Sequence, residues 1–140
     1  MTGRDFLTLA KTLSASTNEA ARRTSVSRAY YALYHYIRDY LISAGIRVTT
    51  EPVEHKRMIR YLKNTGIDET KYIGEKIEEI REKRNKADYE LRDMGFNETT
   101  CALYCVLAET LFSQLDSIDN KTLKDRFVQY AKSINEPYEH

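Results

Sequence analysis

Arg84 occupies a position where a helix ordinarily buries an aliphatic side chain. Ile73, Ile77, Ile80, Arg84, Ala87, Leu91 and Met94 are separated by alternating steps of four and three, so a helix places all seven on one face. Burying an unpaired guanidinium costs several kcal/mol, so the fold must either supply an anion or leave a wet cleft beside it. Asp88 stands one turn further on and can reach back, and Tyr89 can offer a hydroxyl. A second set of polar side chains, Thr24, Arg28, His35 and Asp39, forms a narrow stripe on a tyrosine-rich stretch. If Arg28, Tyr31 and His35 face Arg84, Asp88 and Tyr89 across a helix–helix contact, two outcomes follow. One is an ion-pair network that fixes helix register, which the spacing alone favours; the other is a polar cleft for phosphate or RNA.

Basic side chains gather on the same two stretches, with Arg22, Arg23 and Arg28 on the first and Lys83, Arg84 and Lys86 on the second. Such a cluster can grip phosphates while tyrosines stack unpaired bases. Glu78, Glu79, Glu82 and Asp88 are interleaved with the second group, however, as on a solvated helix with i,i+4 pairs.

The elements that must position these groups all read as helical. Residues 4–14 form a short amphipathic helix with Phe6, Leu7, Ala10 and Leu13 on one side. Ser16-Thr-Asn-Glu19 has the form of a capping box, and the helix it starts runs to Ala44, where Gly45 ends it. Val26, Tyr30, Leu33, Ile37, Leu41 and Ala44 mark its main buried face, and Tyr31, Tyr34, Tyr36 and Tyr40 widen the apolar arc until the helix must be central. Thr49, Thr50 and Pro52 precede a shorter helix with Gly66 beyond its end. Asp68 can cap the helix holding Arg84, placed at about 69–92, and Gly95 breaks the chain. Asn97 caps a strongly apolar helix, and Asp119 or Asn120 starts a last amphipathic one, at about 120–134. The expected fold is all-α: an antiparallel bundle of four long helices plus one or two short ones.

At 140 residues the chain is expected to form a single domain with its own core. A formal net charge of +1 imposes neither a nucleic-acid nor a membrane reading. The eleven tyrosines imply polar links within or between helices, because a buried phenol seeks a hydrogen-bond partner. No apolar run is long enough to span a bilayer, and the charged N-terminus lacks a signal peptide's apolar stretch, so a cytoplasmic location is expected. Cys101 and Cys105 are too few for a disulfide framework and have no further ligands nearby, so they read as small buried side chains rather than a metal site.

Ser27-Arg-Ala-Tyr-Tyr-Ala-Leu-Tyr-His35, a downstream His55 opening a helix, and Arg84-Asn-Lys-Ala-Asp-Tyr-Glu-Leu91 together resemble the HEPN (higher eukaryotes and prokaryotes nucleotide-binding) domain family. The closest pattern is the branch with an S-R-x-Y-Y-A helix and an R-x-x-A-D-Y helix, and the resemblance covers about residues 4–118. It implies a helical bundle, usually dimeric, often encoded beside a minimal nucleotidyltransferase in toxin–antitoxin or defence systems. It also implies metal-independent ribonuclease activity in many members, from an arginine and a histidine four to six residues apart. The arginine carries over to Arg84. The histidine does not, since Tyr89, Glu90 and Leu91 stand where it would fall.

Metal-free RNA cleavage needs a group to accept the 2′-hydroxyl proton and another to protonate the leaving oxygen, and an imidazole titrates in the right range for both. Tyr89 and Asp88 titrate too far from neutrality to replace it without large shifts, whereas His35 or His55 could supply one through space. The leading expectation is therefore a non-catalytic HEPN module that dimerises and binds a partner protein, nucleotide or RNA, with Arg28, Tyr31, His35, Lys83 and Lys86 as binding candidates. The alternatives are a ribonuclease with an altered site at Arg84, Asp88 and Tyr89, and a purely structural helical protein. No cofactor and no metal is implied.

Overall fold

A computed structural model describes residues 1–137. It contains six helices: α1 (Gly3–Ser14), α2 (Glu19–Ser43), α3 (Val53–Lys63), α4 (Asp68–Tyr89), α5 (Glu98–Ser117) and α6 (Asn120–Ser133). Four are long and two short, as the hydrophobic spacing requires, and they form a helical bundle.

Local chemistry sets most of the boundaries. Asn97 and Asp119 accept hydrogen bonds from the backbone N–H groups of Thr100 and Thr122, satisfying donors that the first helical turn leaves orphaned. The start of α2 differs from the expected capping box at Ser16. Asn18 is the cap, taking the Ala21 N–H, while the Ser16 hydroxyl oxygen accepts from the Asn18 N–H one step earlier. Gly45 and Gly66 close α2 and α3 with φ of 86° and 78°, which a residue with a Cβ adopts only at a cost.

The helix α2 is central, touching every other helix. Val26, Ala29, Tyr30, Ala32 and Leu33 are fully buried on several sides, because α1, α4 and α5 pack against different parts of its circumference. The approach of α1 is closest at Gly3, where an added Cβ would stand 2.7 Å from the Ala32 carbonyl oxygen. On α4, Ile73, Ile77 and Ile80 are fully buried, each contributing about 1.5–3 kcal/mol through removal from water. That apolar anchor holds the helix in place despite the guanidinium one turn later. Cys101 and Cys105 are free thiols in the core, and burial raises the pKa of both.

The Arg84 face ends earlier than its spacing suggests. The helix α4 stops at Tyr89, so Leu91 and Met94 lie beyond it, 75% and 90% exposed instead of buried. The cause is Arg23 of α2. The residue is 7% exposed, and its guanidinium carbon lies 4.4 Å from the centre of the Phe96 ring. Its guanidinium donates to the carbonyls of Lys86, Ala87, Glu90, Leu91 and Asp93 at 2.7 to 3.4 Å. A cation thus gathers the last carbonyls of α4 and of the loop that follows, favoured by the negative end of the helix dipole. No helix among the described residues is long and apolar enough to cross a membrane.

Candidate functional site

Arg84 is held where α2, α3 and α4 meet. Its side chain is 16% exposed, and three groups receive it. Nη2 donates to the Tyr31 hydroxyl oxygen at 2.7 Å and Nη1 to the Asn85 Oδ1 at 2.8 Å. Nε lies 3.2 Å from Asp88 Oδ2, an ion pair without hydrogen-bond alignment. The guanidinium carbon is 5.1 Å from the Tyr31 ring centre and 5.9 Å from that of Tyr30, within range of a cation–π attraction. The cation among aliphatic neighbours therefore finds both its counter-ion and the tyrosine-rich helix.

The third helix contributes an imidazole. His55 of α3 stacks on Tyr34 with ring centres 4.5 Å apart and on Tyr30 at 5.6 Å, and meets Tyr31 edge-on at 6.1 Å. Its Nδ1 is hydrogen-bonded to the Tyr30 hydroxyl. Burial, reinforced by the positive charges of Arg81 and Arg84, lowers its pKa, so the ring is neutral at neutral pH. Burial pushes the Tyr30 phenol far above its usual range, so that group stays protonated. With no other acceptor for the Tyr30 proton among the described residues, the tautomer in which the phenol donates to Nδ1 satisfies both groups. The imidazole then carries its own proton on Nε2 and presents a hydrogen-bond donor rather than a free basic nitrogen.

Arg81, one turn before Arg84, completes the cationic part of the cluster. Its charge acts on both Tyr30 and His55, and its buried Nε has no hydrogen-bond partner. Spacing alone passed over it, because Arg81 falls beside the apolar seam and not within it. Only the position of α3 relative to α4 gives it a role.

The other candidates divide. His35 stacks on Phe6 with ring centres 5.1 Å apart and lies 6.1 Å from Tyr31, at the edge of the cluster; burial lowers its pKa. Arg28 lies 5.6 Å from the centre of the same Phe6 ring. Tyr89 is 76% exposed at the end of α4. The Lys83 ammonium is 4.4 Å from the Phe96 ring centre and 5.9 Å from that of Tyr104, and Lys86 is exposed. Arg22 donates to the carbonyls of Ser16, Thr17 and Phe96, and Arg23 to those of residues 86–93. Those two guanidinia serve the backbone, an engagement that neither the phosphate-gripping nor the solvated-surface alternative for the basic cluster anticipates. Among the described residues no cluster of three or more His, Cys, Asp or Glu side chains is placed to hold a metal ion.

No curated protein matches the chain, and no solved structure does. The family model of the HEPN domain matches residues 3–118, which takes in α1 to α5 and every residue of the Arg84 cluster. On that match the chain belongs to the HEPN domain family, whose members are nucleotide- or RNA-binding or ribonuclease-type modules.

Proposed function

We propose that the chain is a non-catalytic, dimerising HEPN module that binds the phosphodiester backbone of RNA at the Arg84 cluster. The observation that carries this reading is the Arg84 guanidinium bonded to the neutral Tyr31 hydroxyl, with the charge of Arg81 acting on the same cluster and, among the described residues, the partly exposed Asp88 as the one carboxylate paired with Arg84. Tyr31 accepts from Arg84 and keeps its own proton to donate, and the His55 Nε2–H adds a second neutral donor. Guanidinium is suited to phosphate because its donors form a planar fork.

Fluorescence anisotropy with a labelled single-stranded RNA tests the reading. A charge-assisted hydrogen bond contributes about 1.5–3 kcal/mol, so Arg84→Met is expected to weaken binding about ten- to a hundredfold. Unchanged affinity in a folded Arg84→Met protein would remove the proposal.

A ribonuclease is the second reading, favoured by the arrival of an imidazole beside Arg81 and Arg84 from a different helix. The proton on Nε2 weighs against it, since a general base needs that nitrogen free. Incubating RNA with wild type and His55→Asn decides: cleavage lost in the variant establishes the enzyme, and none by either protein leaves the binding module. Exposed Leu103 and Val106 on α5 support association of two copies, which light scattering after size-exclusion chromatography tests. A minimal nucleotidyltransferase remains part of the proposal as the protein partner, tested by mixing the two purified chains.

A further inference from the structure

A groove of about 590 Å³ runs between α3 and α4, within the size range of small-ligand sites. Val53, 59% exposed, and Ile59 give it apolar lining. Lys56 and Arg60 border it from α3, and Arg81 from α4. None of these three cations enters an ion pair among the described residues, and the Arg81 Nε is buried without a hydrogen bond. A bridge between Lys63 and Glu78, 2.6 Å long, also belongs to the lining. With Glu82 the groove holds four cations against two carboxylates, so its net charge is positive. A guanidinium with its Nε orphaned, beside two further unpaired cations and an apolar surface, fits an anionic group joined to a flat apolar body.

The groove is continuous with the cluster described above. Asn85 lines it and takes the hydrogen bond from Arg84, and Arg81 belongs to both. We propose that the α3–α4 groove is a second nucleotide subsite, taking the next phosphate and its base along a single-stranded RNA held at Arg84. The inference rests on the RNA-binding reading. Lys56, Arg60 and Arg81 hold the phosphate, and the base lies over Val53 and Ile59. A base reaches that surface only when free of a duplex, so the subsite selects single strands. A free nucleoside monophosphate carries the same chemistry, and the test separates the two.

The experiment measures binding of a labelled hexaribonucleotide over a range of salt concentrations, for wild type, Arg84→Met and the double variant Lys56→Ala/Arg60→Ala. Both groove side chains are exposed, so their truncation leaves the fold intact, which circular dichroism checks. For single strands the slope of log K against log salt is about 0.7 per phosphate neutralised, so the double variant, which frees the one phosphate held in the groove, is expected to lower it by about 0.7. Val53→Ser is expected to weaken binding without changing that slope. A blunt duplex is expected to bind at least tenfold more weakly than the single strand, by the order of magnitude one good contact contributes. Weakening by Arg84→Met with no change in affinity or slope from the groove variant would overturn the subsite alone. Absence of wild-type binding to any RNA would overturn both readings, and a nucleoside monophosphate binding as tightly as the hexamer would overturn the two-subsite track.

Discussion

Removing the Arg23 guanidinium tests whether a long-range cation, rather than local sequence, ends the signature helix. Of its five carbonyl partners, those of Ala87, Glu90 and Asp93 lie at 3.0, 3.1 and 2.7 Å and make the firm bonds. A hydrogen bond from a charged donor is worth about 1.5–3 kcal/mol. Glu90 and Leu91 are exposed, so water can replace part of what is lost, and about 1 kcal/mol per firm bond is the better figure. Loss of the stacking on Phe96 adds about 0.5–1 kcal/mol. Arg23→Met keeps the apolar stem and is expected to lower unfolding free energy by about 3–4 kcal/mol, a large share of a typical domain's stability. Arg23→Lys retains the charge at the helix end but exchanges the wide planar fork for a compact ammonium that cannot span all these carbonyls, and should restore less than half of the loss. Urea unfolding followed by circular dichroism measures both, and hydrogen exchange should show the backbone amides near the end of α4 opening first in the variant. A loss under 1 kcal/mol for Arg23→Met would refute the assignment of Arg23 as the anchor of this helix end.

Three further outcomes follow from the same packing. Gly3→Ala would drive a Cβ against the Ala32 carbonyl, and is expected to cost about 1–3 kcal/mol in urea unfolding; a neutral result would mean that α1 sits further from α2. His55 has a lowered pKa in the folded protein, so the unfolded chain binds its proton more readily as pH falls. Its contribution is therefore fully present above about pH 6.5 and declines below it, and His55→Gln should flatten that part of the stability-against-pH curve. Glu136 receives Arg57 at 2.6 and 2.8 Å and the Tyr61 hydroxyl at 2.6 Å, so Glu136→Ala should cost about 2 kcal/mol, and no cost would mean the C-terminal clasp is slack.

The sequence makes some of this legible and hides the rest for physical reasons. The pairing of Arg84 with Asp88 is an i,i+4 relation within one helix, and the caps at Asn97 and Asp119 are equally local, so spacing and residue type reveal them. The contact of Arg84 with Tyr31 follows from two faces that each need a polar partner. The end of α4 does not follow, because the periodic pattern continues through Leu91 and Met94 while the force that breaks it comes from Arg23, far away in the chain. His55 and Arg81 meet only after α3 is docked, and no repeat or motif in their own helices announces it. The charge cluster of Arg22 and Arg23 stays ambiguous in sequence for the complementary reason: guanidinium bonds to carbonyls as well as to phosphate, and composition cannot tell which it has found.

The last helix changes how the family-matched stretch should be handled at the bench. The match ends at residue 118, whereas Leu123, Phe127 and Ala131 of α6 are wholly sequestered in the core, Phe127 edge-on to Tyr61, and Glu136 clasps Arg57 two positions from His55. Trimming the protein to its recognisable portion would strip the outer brace from α3 while leaving every signature residue in place. Such a fragment would lose the support of the proposed site without losing a single one of its residues, and the result would be mistaken for evidence that the site is inert.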